Sequence, residues 1–181
     1  MILSIDVGVK NLGICILDNK SIQSWDTFNL GLPKSYGTTE CLQALKNCLE
    51  TINIDSVDTV IIEKQPYCNP KMRVLSSAMH MYYVMVGIPK IIEYSGKHKL
   101  KICLDLEEKR PSIREKGKRY YSNKKRAIET CRNLVKVNDP GWMSVFEKSK
   151  KKDDLADCYL QGLSYIELYK SKAPIKRDKG L

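Results

Sequence analysis

Lys152-Asp153-Asp154-Leu155-Ala156-Asp157-Cys158-Tyr159 decides how this chain is read, because it sets three carboxylates at the opening of what its pattern predicts is a helix. On a helix, Asp154 and Asp157 lie three residues apart on one face, and Asp153, four before Asp157, shares part of that face. Spacing does not choose between Asp153 and Asp154. Like charges this close repel by roughly a few tenths of a kcal/mol per pair, and the positive end of the helix dipole returns only part of that. A cation is therefore expected among them. An acidic first turn facing solvent would look the same in isolation, so the question becomes whether other carboxylates can reach this one. Leu155, Tyr159, Leu163 and Ile166 recur at helical spacing through and beyond the cluster and are expected to face a core.

Two further carboxylates close predicted strands. Ile2 to Ile5 is an apolar run ended by Asp6. After Gly8, Lys10 and Asn11 a second run extends from Gly13 to Leu17, and Asp18-Asn19-Lys20 turns into a third from Ser21 to Trp25, a three-strand meander. Leu42, Leu45, Leu49 and Ile52 then mark one helix face, with Thr38 or Thr39 as its cap. Thr59-Val60-Ile61-Ile62 is a β-branched run of the kind found in a fully buried strand, and it ends on Glu63 before Lys64-Gln65-Pro66 turns the chain out.

A second helix is predicted over Met72 to Val86. Its stripe of Leu75, Met79, Tyr82, Tyr83 and Val86 reads as core or dimer surface. Lys90 to Tyr94 is the fifth strand. From Ser95 to Tyr121 the pattern weakens, and the charge-dense run from about Asp105 to Arg119, holding Pro111 and Gly117, reads as a mobile loop. His80 and His98 have no partner at metal-ligand spacing and read as structural or surface residues. Ser122 is expected to cap a third helix with Lys124, Lys125, Arg126, Ile128, Leu134 and Val135, ending before Asn138-Asp139-Pro140-Gly141. Trp142, Val145 and Phe146 form a short apolar patch before the acidic helix.

Composition narrows the function classes. A chain of 181 residues with 43% hydrophobic and 29% charged residues suits one globular domain, expected over residues 1–170, with the basic tail 171–181 too poor in apolar residues to order. A net charge of +10 favours a polyanionic partner. No run approaches the roughly 18 apolar residues of a membrane span, and Asp6 interrupts the stretch where a signal peptide would need an apolar core, so no membrane partner and no targeting segment are expected. Seven cysteines without a Cys-x-x-Cys pair argue against a disulfide framework or a zinc ribbon. They read as buried thiols of a protein held in a reducing intracellular compartment.

Meander, helix, strand, helix, strand, helix and helix describe an α/β architecture with a mixed sheet. A crossover helix makes the first strand and the strand ending on Glu63 parallel neighbours, so Asp6 and Glu63 would stand side by side. If the late helix docks over those strand ends, its carboxylates converge with them on one pocket. Such a set cannot be ionised together without compensation. Oxygen ligands without His or Cys suit hard cations, which implies Mg²⁺, with Mn²⁺ as a substitute, and no small-molecule cofactor. Two ions about 4 Å apart would hold the attacking water and the leaving oxygen of an in-line phosphodiester displacement. On a basic chain this chemistry points to a nuclease.

Ile5-Asp6-Val7-Gly8-Val9-Lys10-Asn11-Leu12-Gly13, Ile62-Glu63-Lys64-Gln65-Pro66, the Lys124-Lys125-Arg126 helix start and Lys152-Asp153-Asp154-Leu155-Ala156-Asp157 together resemble, in this order, the motifs of the Holliday-junction resolvases of poxviruses and related large DNA viruses. That family belongs to the RuvC-like branch of the ribonuclease H-like superfamily, so the resemblance implies a RuvC-like mixed five-stranded sheet flanked by helices. It implies that Asp6, Glu63, Asp154 and Asp157 are the metal ligands, selecting Asp154 over Asp153, and that a catalytic lysine lies at the third helix start, Lys125 being the better match and Lys124 the fallback. With the two Mg²⁺ ions per site that the carboxylate chemistry suggests, it implies a homodimer making paired nicks in branched, four-way DNA, in the infected-cell cytoplasm or viral replication site. Lys10, Asn11, Lys64, Gln65, Lys124, Arg126, Lys151 and Lys152 flank the motifs and are the candidate DNA contacts.

Two other readings share some of these residues. An actin-like or sugar-kinase phosphotransferase also uses an Asp-x-Gly hairpin after its first strand, but needs a second glycine-rich phosphate loop and a second domain. A non-catalytic DNA-binding module of nuclease fold would have no need to keep the four carboxylates.

Overall fold

The structure is a computed structural model that describes residues 1–102 and 116–170, without the side chains of 100, 101, 116–120, 169 and 170. Strands β1 (Ile2–Asp6), β2 (Leu12–Asp18) and β3 (Ser21–Phe28) form the expected antiparallel meander. Asn19 makes the β2–β3 turn with a left-handed φ of 51°, a conformation its short polar side chain tolerates. Helix α1 (Thr38–Glu50) carries the chain to β4 (Thr59–Glu63), parallel to β1, and α2 (Pro70–Met85) carries it to β5 (Lys90–Tyr94), parallel to β4. The sheet order is β3-β2-β1-β4-β5, a mixed five-stranded sheet as expected.

Two helix caps differ from the sequence reading. Gly37, not Thr38 or Thr39, caps α1: the Glu40 carboxylate accepts the Gly37 N–H at 2.8 Å, and both threonines fall inside the helix. On the far side of the sheet, α3 (Lys99–Ile102) precedes α4 (Lys116–Asn138), so Ser122 is an interior residue of α4 and not its cap. Lys and Arg are good helix formers, and a charged run that suggests a loop by composition extends a helix just as well. The remainder of the predicted loop, residues 103–115, and the tail 171–181 lie outside the described residues. A 3₁₀ turn (Pro140–Trp142), α5 (Met143–Lys148), α6 (Lys152–Tyr165) and a π-helical turn (Ile166–Lys170) complete the order. No described helix is long and apolar enough to cross a membrane.

Helices cover both faces of the sheet, and this is why all five residues of β1 are buried. Leu3 and Ile5 pack with Leu45, Leu49, Leu75, Met79 and Tyr83 under α1 and α2, whereas Ile2 packs with Leu155, Tyr159 and Leu163 under α6. Each fully buried Leu or Ile contributes about 2 kcal/mol. Of the α2 stripe, Leu75, Met79 and Tyr83 are buried, Tyr82 is half-buried and Val86 is 45% exposed at the helix end; among the cysteines, Cys68 is exposed and Cys48 half-buried, against the expectation of buried thiols.

Polar anchors fix α6 more sharply than apolar packing could. Gln161, fully buried, shares its two Nε2 hydrogens among Ser4 Oγ (3.2 Å), the Ile5 carbonyl (3.0 Å) and the Ile61 carbonyl (3.4 Å), tying the helix to β1 and β4 together. Trp25 Nε1 on β3 donates to the Leu155 carbonyl at 3.0 Å, and its ring stacks on Phe146 at 5.3 Å. Ser21 Oγ and the Ile22 N–H donate to the Asp139 carboxylate, and Trp142 Nε1 donates to the Ile22 carbonyl. The segment after α4 is thereby held against β3, and α6 follows from it.

Candidate active site

Ile5 pairs with Ile62 in the parallel β1–β4 ladder, so the next residues, Asp6 and Glu63, leave adjacent strands side by side. Alternation along each strand puts Asp6 on the face of Ile2 and Ser4, and Glu63 on the face of Ile61, which is the α6 face. The first turn of α6 can lie over these strand ends because β2 offers Gly13 opposite Asp6. A Cβ on Gly13 would stand 2.7 Å from the Asp154 carbonyl oxygen and 3.3 Å from Asp6 Cβ, leaving no room for any side chain.

A lysine that the sequence reading passed over sits at the centre. Lys99, the first residue of α3, is only 8% exposed, and its Nζ lies 2.9 Å from Glu63 Oε1, 3.3 Å from Asp157 Oδ1 and 3.7 Å from Asp6 Oδ1. The cation expected among the carboxylates is thus supplied here by the chain itself. Glycine at position 96 allows the segment to run this close, since a Cβ there would meet Glu63 Oε1 at 2.8 Å. Gln65 steadies Glu63 from the other side, donating Nε2 to its carbonyl (3.1 Å) and to Oε2 (3.2 Å).

Burial sets the proton affinities, and Lys99 redistributes them. Burial alone would push the Lys99 ammonium down, but Asp6, Asp157 and Glu63 outweigh it and hold the group above its ordinary range. Burial drives Asp6 well up; Lys99 opposes that while the charges of Glu63 and Asp157 add to it. Burial also acts upward on Glu63, but Lys99 and hydrogen bonds from Asp6, Lys99 and Gln65 bring it below the usual carboxylate range. The contact between the two carboxyls acts in opposite directions on them, raising Asp6 and lowering Glu63. Asp157 is raised, mainly by burial against the opposing charge of Lys99.

Asp154 shares the helix with Asp157. Its Oδ2 is buried without a hydrogen-bond partner, and burial together with the neighbouring Asp153 raises its carboxyl. Among the described residues, no three His, Cys, Asp or Glu side chains already close around a common point as metal ligands would; three of the four expected carboxylates close around an ammonium instead. Even so, the donors suit a hard divalent cation: every one is a carboxylate oxygen, one of them, Asp154 Oδ2, is buried without a hydrogen-bond partner, and the position between Asp6, Glu63 and Asp157 already attracts positive charge.

The basic candidates sort by reach. Lys124 Nζ donates to Asp153 Oδ2 at 2.7 Å and draws that carboxyl, otherwise pushed up by burial, below its ordinary value. Lys125, the better match by family pattern, is exposed, so α4 turns Lys124 and not Lys125 toward α6. Lys152 donates to the Glu147 and Ser149 carbonyls and so secures the end of α5. Lys10, Lys64 and Lys151 are exposed around the site, while Asn11 and Arg126 are half-buried.

Comparison with known proteins follows the same outline. Residues 1–170 match the family described as Poxvirus A22 protein. The chain is 27% identical over 181 residues to a Holliday junction resolvase of Fowlpox virus (strain NVSL), a match covering 98% of this chain and 99% of that protein. It is 31% identical over 129 residues to an uncharacterised protein of Acanthamoeba polyphaga mimivirus, a match covering 64% of this chain but only 30% of that longer relative. Among solved structures, the Fowlpox virus resolvase in complex with Holliday junction DNA superposes with a TM-score of 0.63 at 20% identity, covering 92% of this chain and 97% of that one. RuvC of T. thermophilus with its Holliday junction substrate superposes at 0.61 and 11% identity, covering 93% and 95%. The fold is RuvC-like, within the ribonuclease H-like class.

Proposed function

Because the chain belongs to the Poxvirus A22 protein family, we propose that it is a divalent-metal-dependent, structure-selective endodeoxyribonuclease that resolves four-way DNA junctions by paired nicks, acting in viral genome concatemer resolution. The observation that carries this reading is the meeting of Asp6, Glu63 and Asp157, from β1, β4 and α6, around one buried ammonium, with Asp154, whose Oδ2 is buried without a hydrogen-bond partner, three residues before Asp157 on the same helix. Asp6, Glu63, Asp154 and Asp157 would hold two Mg²⁺ ions, with Mn²⁺ able to replace them. When bound, the ions supply positive charge against the scissile phosphate and acidify the attacking water. The chain's own part is to hold the carboxylates in place through Gly13, Gln65 and Gln161 and to present Lys124 at the rim, where its ammonium can meet charge developing on the phosphate.

Lys10, Asn11, Lys64, Gln65, Arg126 and Lys151 border the site and are the proposed DNA contacts, in keeping with a net charge of +10. A four-way junction has twofold symmetry, and two copies of the chain would match it. Exposed Val74, Met81 and Met85 form an apolar strip on α2 on which the second copy can dock. We assign the single nuclease domain to residues 1–170 and the protein to a reducing compartment, the infected-cell cytoplasm or viral replication site. The rival reading, a DNA-binding module without catalysis, shares the basic surface but gives no use to a carboxylate buried without a partner.

Incubation with a synthetic four-way junction, a matched linear duplex and a single strand, each with and without Mg²⁺, tests the proposal. The expected result is paired nicking of the junction alone, and only with the metal. Tight junction binding with no cutting under any metal condition supports the binding module instead.

A further inference from the structure

Resting on the metal-holding reading above, we propose that Lys99 is a built-in counter-cation that competes with the divalent ions, so that metal binding requires its ammonium to leave Asp6, Glu63 and Asp157. Three carboxylates from three separate elements are spent on this one Nζ, at 2.9, 3.3 and 3.7 Å. That is the position a cation would take among these oxygens. An ammonium and a divalent ion cannot share it, because each repels the other at contact distance in a partly desolvated site.

The placement of Lys99 suits an exchangeable occupant. The carboxylates belong to the framework: Asp6 and Glu63 close strands of the central sheet, and Asp157 lies on a helix clamped to that sheet by Gln161. Lys99 belongs to none of these, opening a four-residue helix after β5. Its four-carbon stem can swing Nζ away by side-chain rotation while β1, β4 and α6 stay where they are. A buried ammonium without partners would be costly, and four clustered carboxylates without a cation would repel, so each half of the arrangement explains the other. Without metal, Lys99 keeps the strand ends and α6 together; with metal, the ions take over that task.

If the state with Lys99 withdrawn makes up about a tenth or less of the metal-free protein, metal affinity is weakened about tenfold or more by the need to reach it. Mn²⁺ binding to the free protein, followed by electron paramagnetic resonance, is therefore expected to tighten at least about tenfold in Lys99→Met, while the metal-free variant melts at a lower temperature than the wild type. A measurement on the unaltered protein stands beside it: acetylation of lysine amines read by mass spectrometry is expected to find Lys99 protected without metal and reactive at saturating Mn²⁺. Equal Mn²⁺ affinity in wild type and variant, or Lys99 labelling indifferent to bound Mn²⁺, overturns the competition while leaving the metal site standing. Absence of Mn²⁺ binding in either protein overturns both the metal-holding reading and this inference. Should Lys99→Met fail to fold, the labelling experiment decides alone.

Discussion

Lys124 and Lys125 show how one residue step on a helix changes a chemical role. Both sit at the basic stretch that family pattern marks for a catalytic lysine, but successive helical positions differ by about 100° in direction, and only Lys124 reaches the acidic helix, at 2.7 Å from Asp153. We predict that Lys124→Ala lowers the junction-cutting rate by about a hundredfold, the scale for deleting one preorganised charge from a transition state. Lys125→Ala should change it by less than about threefold, the range of a surface substitution. Single-turnover kinetics on both variants separate the two, and the reverse ranking would return the role to Lys125. The carboxylates were legible at this scale because each closes a strand or opens a helix, a place the apolar pattern marks. Lys99 was not: one of 31 basic residues, in a stretch without periodicity, it carries no local sign that it folds back over a strand end. The available signal was Gly96, a glycine just past a strand beside Glu63, where close approach is needed.

At the scale of elements, α6 is the piece on which the site depends, and its alignment rests on a buried amide. Gln161 lies one turn beyond Asp157 and bonds the carbonyl of Ile5, the residue before Asp6. Replacing it by Leu leaves those strand groups without their partner, at a cost of about 1–3 kcal/mol, and frees α6 to shift. We predict that Gln161→Leu lowers the melting temperature and also weakens Mn²⁺ binding by about ten- to a hundredfold, as loss of an outer support does for metal sites. A variant that loses stability but binds Mn²⁺ as tightly as wild type would show that Gln161 only fills the core. The strands, their order and the inward face of α6 could be read from period and β-branching. The true start of α4 could not, because Lys and Arg suit an exposed helix and a loop equally well, and tertiary contact decides between them.

For the whole molecule, the proposed function has charge govern encounter and the carboxylates govern outcome. A chain of net charge +10 facing DNA releases counterions with every phosphate it contacts. Junction affinity should therefore fall linearly on a log–log plot against salt, losing about a thousandfold between roughly 50 and 200 mM if about six phosphates are engaged. A flat response in a gel-shift titration would place the DNA somewhere other than the basic rim. The architecture itself was legible from the order of elements alone, since a meander followed by two crossover helices leaves few ways to arrange five strands. What the order could not convey is that the acidic pocket already holds a cation of the chain's own making, because that depends on distances across the fold.

The buried Oδ2 of Asp154 has no hydrogen-bond partner within the described protein. Asp154→Asn keeps the shape of the side chain and removes its charge, so the decisive measurement is binding and cutting of the same four-way junction by this variant in Mg²⁺. Binding within about twofold of wild type, with cutting reduced by at least about a hundredfold, is the predicted result; nicking at the wild-type rate would contradict it.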